Sequence, residues 1–218
     1  MTVNEIITDR EITEIVHFTT HRGLLGSLHA GSVKSRKRLP TEMDLKFIYK
    51  PNAEYRKDAA WLDYVNLSIS RINSDFFLTS CRWHREEDLW WCIMSFEPAI
   101  LTHPGVYFAT TNNMYTGVVR GAGASGLERL FAPRIARWTG NTVVRLANLA
   151  GRFATCVQAE VLYPGELSIQ HLKGVYVEQD EDQDEVHAQM HMIGVEGVEV
   201  IVDATKFGRT GARYATSK

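Results

Sequence analysis

The strongest constraint on the fold is how the chain divides its apolar residues. Short runs rich in β-branched and aromatic side chains recur throughout: IVHFT at 15–19, YVNLSIS at 64–70, DLWWCIMSF at 88–96 and GVYFATTNN at 105–113. FATCVQAEVLY at 153–163, GVYV at 174–177 and IGVEGVEVIVD at 193–203 complete the series. Each has the length and composition of a strand. Helical spacing is sparser and irregularly placed. It is clearest at Leu24, Leu25 and Leu28, with Gly31 positioned to stop the helix. Strands and helices are therefore mixed without regular βαβ alternation, which favours an α+β fold over a doubly wound sheet. No linker or internal repeat splits the 218 residues, so a single domain spanning 1–218 with a polar C-terminal tail is expected. No run of about 18 apolar residues is present, so no spanning helix is expected.

Several chemistries are disfavoured by composition. The three cysteines, Cys81, Cys92 and Cys156, form no CxxC pair, which argues against a zinc knuckle or a disulfide framework. The N-terminal stretch carries acids where a secretory leader would be basic and apolar. A reducing, cytoplasmic setting is therefore expected. Two histidine pairs have i, i+4 spacing, His17 with His21 and His187 with His191, but neither encloses the glutamate of a zinc-protease helix. No metal site is expected. GAGASG at 121–126 reads as a flexible loop and lacks the Gly-Lys-Ser/Thr ending of a phosphate loop. The following GLERLFAPRIARW reads as a helix broken near Pro133.

Charge is unevenly distributed. EQDEDQDE at 178–185 holds six acids and reads as an exposed loop. From Arg120 to Arg152 there are six arginines and one acid, Glu128. Such a stretch can hold phosphates, or can be a solvated face balanced elsewhere. Glu160 sits between apolar residues in a strand-like run. A carboxylate there either points to solvent or is held for a purpose, since burying it unpaired is costly.

These pieces together resemble the DarT family of nucleic-acid ADP-ribosyltransferases. His17-Phe18-Thr19 and the following short helix are similar to that family's opening strand and helix. Tyr55-Arg56-Lys57-Asp58 resembles its Arg-x-Asp element, and Leu67-Ser68-Ile69-Ser70 with Asn73 the strand after it. Gln158-Ala159-Glu160-Val161-Leu162 is similar to its catalytic-glutamate strand. The resemblance spans about residues 15–177. Gly23 stands where the family has an asparagine, and Trp83–Arg120 reads unlike its thymidine-modifying members.

The resemblance implies an ADP-ribosyltransferase fold, with two small β-sheets facing each other across an NAD cleft and helices flanking them. It implies transfer of ADP-ribose from NAD to a nucleobase of single-stranded DNA or RNA, in a bacterial toxin or phage-defence effector paired with an antitoxin. Glu160 and Arg56 are the implied catalytic residues. NAD contacts fall to His17, Phe18, Thr19, Gly26 and Arg56. Arg134, Arg137 and Arg145 are implied to bind the strand, with Trp138 or Phe153 as stacking candidates. Trp138 on its own reads first as a core residue. An NAD glycohydrolase and a non-catalytic nucleic-acid-binding module are the alternative readings.

Overall fold

The computed structural model describes residues 1–39, 59–85 and 88–208. The chain opens with helix α1 (Val3–Asp9), which starts at a capping box. Thr2 accepts from the Glu5 amide, and the Glu5 carboxylate accepts from the Thr2 amide. That Thr-x-x-Glu signal lies openly in the sequence, within a segment read above only for its charge.

Strand β1 (Ile15–Thr20) leads directly into helix α2 (His21–His29). Thr20 caps the helix by accepting from the Gly23 amide. Gly31, at φ +69°, follows the helix as expected. The next strands are β2 (Ser32–Lys34), β3 (Tyr64–Ile69), β4 (Trp91–Phe96) and β5 (Tyr107–Ala109), with helix α3 (Ser74–Trp83) between β3 and β4. β3 alternates half-buried and buried residues, as its sequence predicts. All six residues of β4 are buried, which is why that run shows no alternation.

Several expectations fail from here onward. GAGASG is not a loop: β6 (Arg120–Ala122) passes straight into helix α4 (Gly123–Arg129). The glycines allow close packing. A Cβ on Gly126 would lie 2.4 Å from the Gly121 carbonyl, so helix and strand backbones touch. The helix expected across Pro133 ends before it, and Arg134–Trp138 forms β7, in a hairpin with β8 (Asn141–Val144). Proline has no amide to continue a helix, and here it marks a stop rather than a kink. Only the end of the 153–163 run is a strand, β9 (Glu160–Pro164); β10 (Glu166–Ser168) and β11 (Leu172–Val177) follow. Most of the acidic run is helical: α5 (Asp180–Ile193) carries Asp180, Glu181 and Asp182 in its first turn, where the helix dipole favours anions. Burial, followed by repulsion from Glu178, Glu185 and Glu181, raises the Asp182 carboxyl to about 6. β12 (Glu199–Val202) ends the sheet.

Eight strands hydrogen-bond in the order β12-β11-β4-β1-β3-β9-β5-β6. All the pairs are antiparallel except β11–β12. The two small sheets expected are joined here in one large array, through the short β1–β3 ladder. β1 pairs with β4 over six residues, but with β3 only at Ile15↔Ile69 and Val16↔Ser68. Beyond Val16 the β1–β3 ladder stops and the halves part. The main core contains Phe96, Phe108, Ile15, Leu24 and Leu67, all at most 2% exposed. A smaller cluster joins Val16, Phe77, Trp91 and Phe207.

Candidate active site

Where the ladder ends, a side chain replaces it. His17 Nδ1 donates to the Asn66 carbonyl oxygen at 2.9 Å across the gap between β1 and β3. Burial lowers the His17 pKa, and that hydrogen bond only partly offsets the effect. The ring is thus neutral at pH 7, with its proton on Nδ1 and Nε2 as an acceptor.

Glu160 begins β9 and is 9% exposed. It does not point to open solvent. Its Oε2 accepts from Asn66 Nδ2 at 2.9 Å and from the Asn113 amide at 3.3 Å. Two N–H donors on one carboxylate oxygen orient it. The strand register makes the arrangement possible: β9 pairs with β3 at Asn66↔Leu162 and with β5 at Ala109↔Glu160. Asn113 is fixed in turn by Arg120. Nε donates to Asn113 Oδ1 at 2.5 Å and an amino group to the Asn113 carbonyl at 2.7 Å. The Arg120 guanidinium also lies over the Trp61 ring, 5.3 Å from its centroid. The far end of the Asn66 amide, Oδ1, is buried without a hydrogen-bond partner among the described residues. A buried acceptor of this kind suits a ligand hydroxyl or amide.

The residues assigned on sequence distribute as follows. His17, Phe18 and Thr19 lie together on β1, and Phe18 packs edge-on to Phe77 with ring centroids 5.4 Å apart. Gly26 is half-buried in α2. Gly23, at the position of the family's asparagine, cannot be enlarged without displacing Thr19: a Cβ would stand 2.1 Å from Thr19 Oγ1. Arg56, in Tyr55–Asp58, falls outside the described residues.

Of the three arginines expected to bind the strand, only Arg134 is exposed, on β7. Arg137 bonds to Gln158 Oε1 through Nε at 3.1 Å and through an amino group, which also lies 3.5 Å from Asp75. Gln158 Nε2 donates to the same Asp75 oxygen at 3.1 Å, so this network braces the approach to Glu160. Arg145 bonds to the carbonyls of Phe153 and Ala150 at 2.8 and 3.0 Å. Trp138 is not a core residue. It is 40% exposed and meets Tyr115 edge-on at 4.9 Å, because it lies at the turn end of the β7–β8 hairpin.

Asn66, Asn113 and Arg120 were not picked out by sequence reasoning. The available signal was an asparagine amid the apolar alternation of β3, matching the glutamate amid that of β9.

Among the described residues no group of three His, Cys, Asp or Glu side chains is placed to hold a metal, and no helix is long and apolar enough to cross a membrane. A comparison with known protein families decides where the chain belongs. The profile described as "ssDNA thymidine ADP-ribosyltransferase, DarT" matches residues 16–208.

The chain belongs to the DarT family.

As a DarT member it is an ADP-ribosyltransferase acting on single-stranded DNA. The fold agrees with solved DarT structures. The chain is similar to Thermus sp. 2.9 DarT in complex with NAD+, at TM-score 0.65 and 13% identity over 90% of this chain and 98% of that one. The same protein in complex with ADP-ribosylated ssDNA matches at TM-score 0.66 and 13% identity, over 90% and 96% of the two chains. Thermosipho africanus DarTG in complex with ADP-ribose matches at TM-score 0.56 and 13% identity over 89% of this chain. There the chain spans about half of the relative, 51%. No curated protein sequence matches this DarT chain significantly.

Proposed function

We propose that this chain transfers ADP-ribose from NAD to a nucleobase of single-stranded DNA in the bacterial cytoplasm, as a toxin or phage-defence effector. The observation that carries this reading is Glu160, buried where the sheet halves part and gripped at Oε2 by Asn66 and Asn113.

Breaking the bond between nicotinamide and the ribose anomeric carbon builds positive charge on the sugar. A carboxylate fixed against the neighbouring ribose hydroxyl stabilises that charge. Opposite charges about 4 Å apart gain roughly 4 kcal/mol at an effective dielectric near 20, worth about a thousandfold in rate. The base nitrogen then bonds to the anomeric carbon as nicotinamide leaves with the electron pair of the broken bond. The proton of that nitrogen passes to the Glu160 carboxylate and on to solvent. Asn66 Oδ1, buried beside Glu160, is suited to accept from a ribose hydroxyl. In this reading His17, Phe18 and Thr19 form one wall of the NAD site, Gly26 admits close backbone approach, and Arg56 takes the pyrophosphate. Trp138 and Tyr115, with Arg134 nearby on β7, offer a surface on which unpaired bases can stack. A de-modifying or sequestering antitoxin protein is the expected partner.

Incubation with NAD and single-stranded DNA and RNA oligomers, read by mass, tests the proposal. A gain of one ADP-ribose on DNA, absent in Glu160→Gln, is the expected result. Modification of RNA alone would change the acceptor. Nicotinamide release with no modified oligomer would make the chain a glycohydrolase. Binding without either product would make it a non-catalytic module.

A further inference from the structure

Four arginines from distant parts of the chain converge on two phenylalanines. Arg10 and Arg145 place their guanidinium carbons 4.8 and 5.8 Å from the Phe131 centroid. Arg71 and Arg152 lie 4.8 and 4.9 Å from that of Phe153. We propose that this cluster binds the phosphates of the DNA strand that enters the Glu160 site. The inference rests on the transferase reading and adds a track for the strand's backbone.

The case is one of uncompensated charge. Arg71 donates to the Ala154 carbonyl at 3.2 Å, and Arg145 to four oxygens of residues 150–155, all neutral. These bonds satisfy donors without cancelling charge. Among the described residues the acid in contact is Asp9, 67% exposed and 4.0 Å from Arg10. Burial lowers the pKa of Arg71 and of Arg145; at Arg71 Cys156 opposes the shift and Arg145 adds to it, and at Arg145 Arg10 adds to it. A structural brace needs only the carbonyl-bonded pair. Arg10 and Arg152 add repulsion and, among the described residues, bond to no carbonyl, which fits a surface built for a polyanion.

Position supports the assignment. Arg71 follows β3, the strand that carries Asn66, and four residues separate 145–155 from the start of β9 at Glu160. Arginine fits phosphate oxygens in a bidentate fork, and aromatic faces keep the guanidinium planes oriented.

The test measures binding of a fluorescent single-stranded DNA oligomer across a salt series, without NAD, for wild type, Arg10→Ala, Arg152→Ala and the double variant. The slope of log affinity against log salt should fall by about 0.7 for each arginine removed. Melting temperatures should stay near wild type. Arg71→Lys and Arg145→Lys keep the charge and should keep the slope, even where they lower the melting temperature. A double variant with the wild-type slope would overturn the track while leaving the transferase reading intact. A wild-type protein that binds no single strand would instead remove the function on which the track depends.

Discussion

Asn66 offers a separation of activity from stability. Its Nδ2 donates to Glu160 Oε2 at 2.9 Å, while its Oδ1 is buried with no partner among the described residues. In Asn66→Ala, Glu160 keeps the weaker Asn113 amide bond at 3.3 Å but loses the shorter one. A hydrogen bond to a charged group is worth about 1.5–3 kcal/mol, and orientation of the carboxylate depends on it. At 1.36 kcal/mol per decade, kcat should fall roughly ten- to a hundredfold. Stability should respond differently. Losing the bond destabilises, but deleting an unsatisfied buried acceptor recovers about 1–3 kcal/mol. The two nearly offset, so the melting temperature should move by no more than about 4 °C. The assay is single-turnover ADP-ribosylation of an oligomer, run beside thermal unfolding. A kcat within threefold of wild type would refute the positioning argument. A melting temperature down by more than about 10 °C would show that the asparagine is mainly a structural member.

Three further outcomes are expected. Burial lowers the pKa of His17, and burial with the neighbouring His171 lowers that of His103. The unfolded chain therefore binds more protons than the folded one just below pH 6.5, so these two groups make stability fall as pH drops through that value. The loss should be smaller in His17→Gln, by thermal melts from pH 7.5 to 5; an identical pH profile would exclude His17 as a source. Lys206 pairs with Glu14, which is 8% exposed in its side chain and also accepts from Ser95 and Tyr176. Lys206→Met should cost about 3 kcal/mol by urea unfolding, because a buried carboxylate loses its cation; a cost under about 1 kcal/mol would show that the hydroxyls suffice. Gly23→Ala should displace Thr19 and raise KM for NAD, measured by nicotinamide release, whereas an unchanged KM would remove Thr19 from the NAD wall.

The sequence by itself placed the pieces that local chemistry controls. β-branched runs marked β1, β3 and β11, Leu24 with Leu28 and Gly31 marked α2 and its end, and the order of motifs marked the family. It also singled out Glu160, because a carboxylate among apolar strand residues demands a reason. It misjudged the glycine-rich stretch 121–126, where tertiary packing of α4 on β6 overrode flexible composition. It also misjudged the acidic run, where α5 docks on the sheet: Gln183 donates to the Val200 carbonyl and Glu185 accepts from Trp90. Only the tertiary structure could pair Asn66 with a glutamate 94 residues away and aim the Asn113 amide across 47 residues at the same oxygen. Strand register sets those partners. Register follows from which faces of many strands can be buried together, so no local window of the chain contains it.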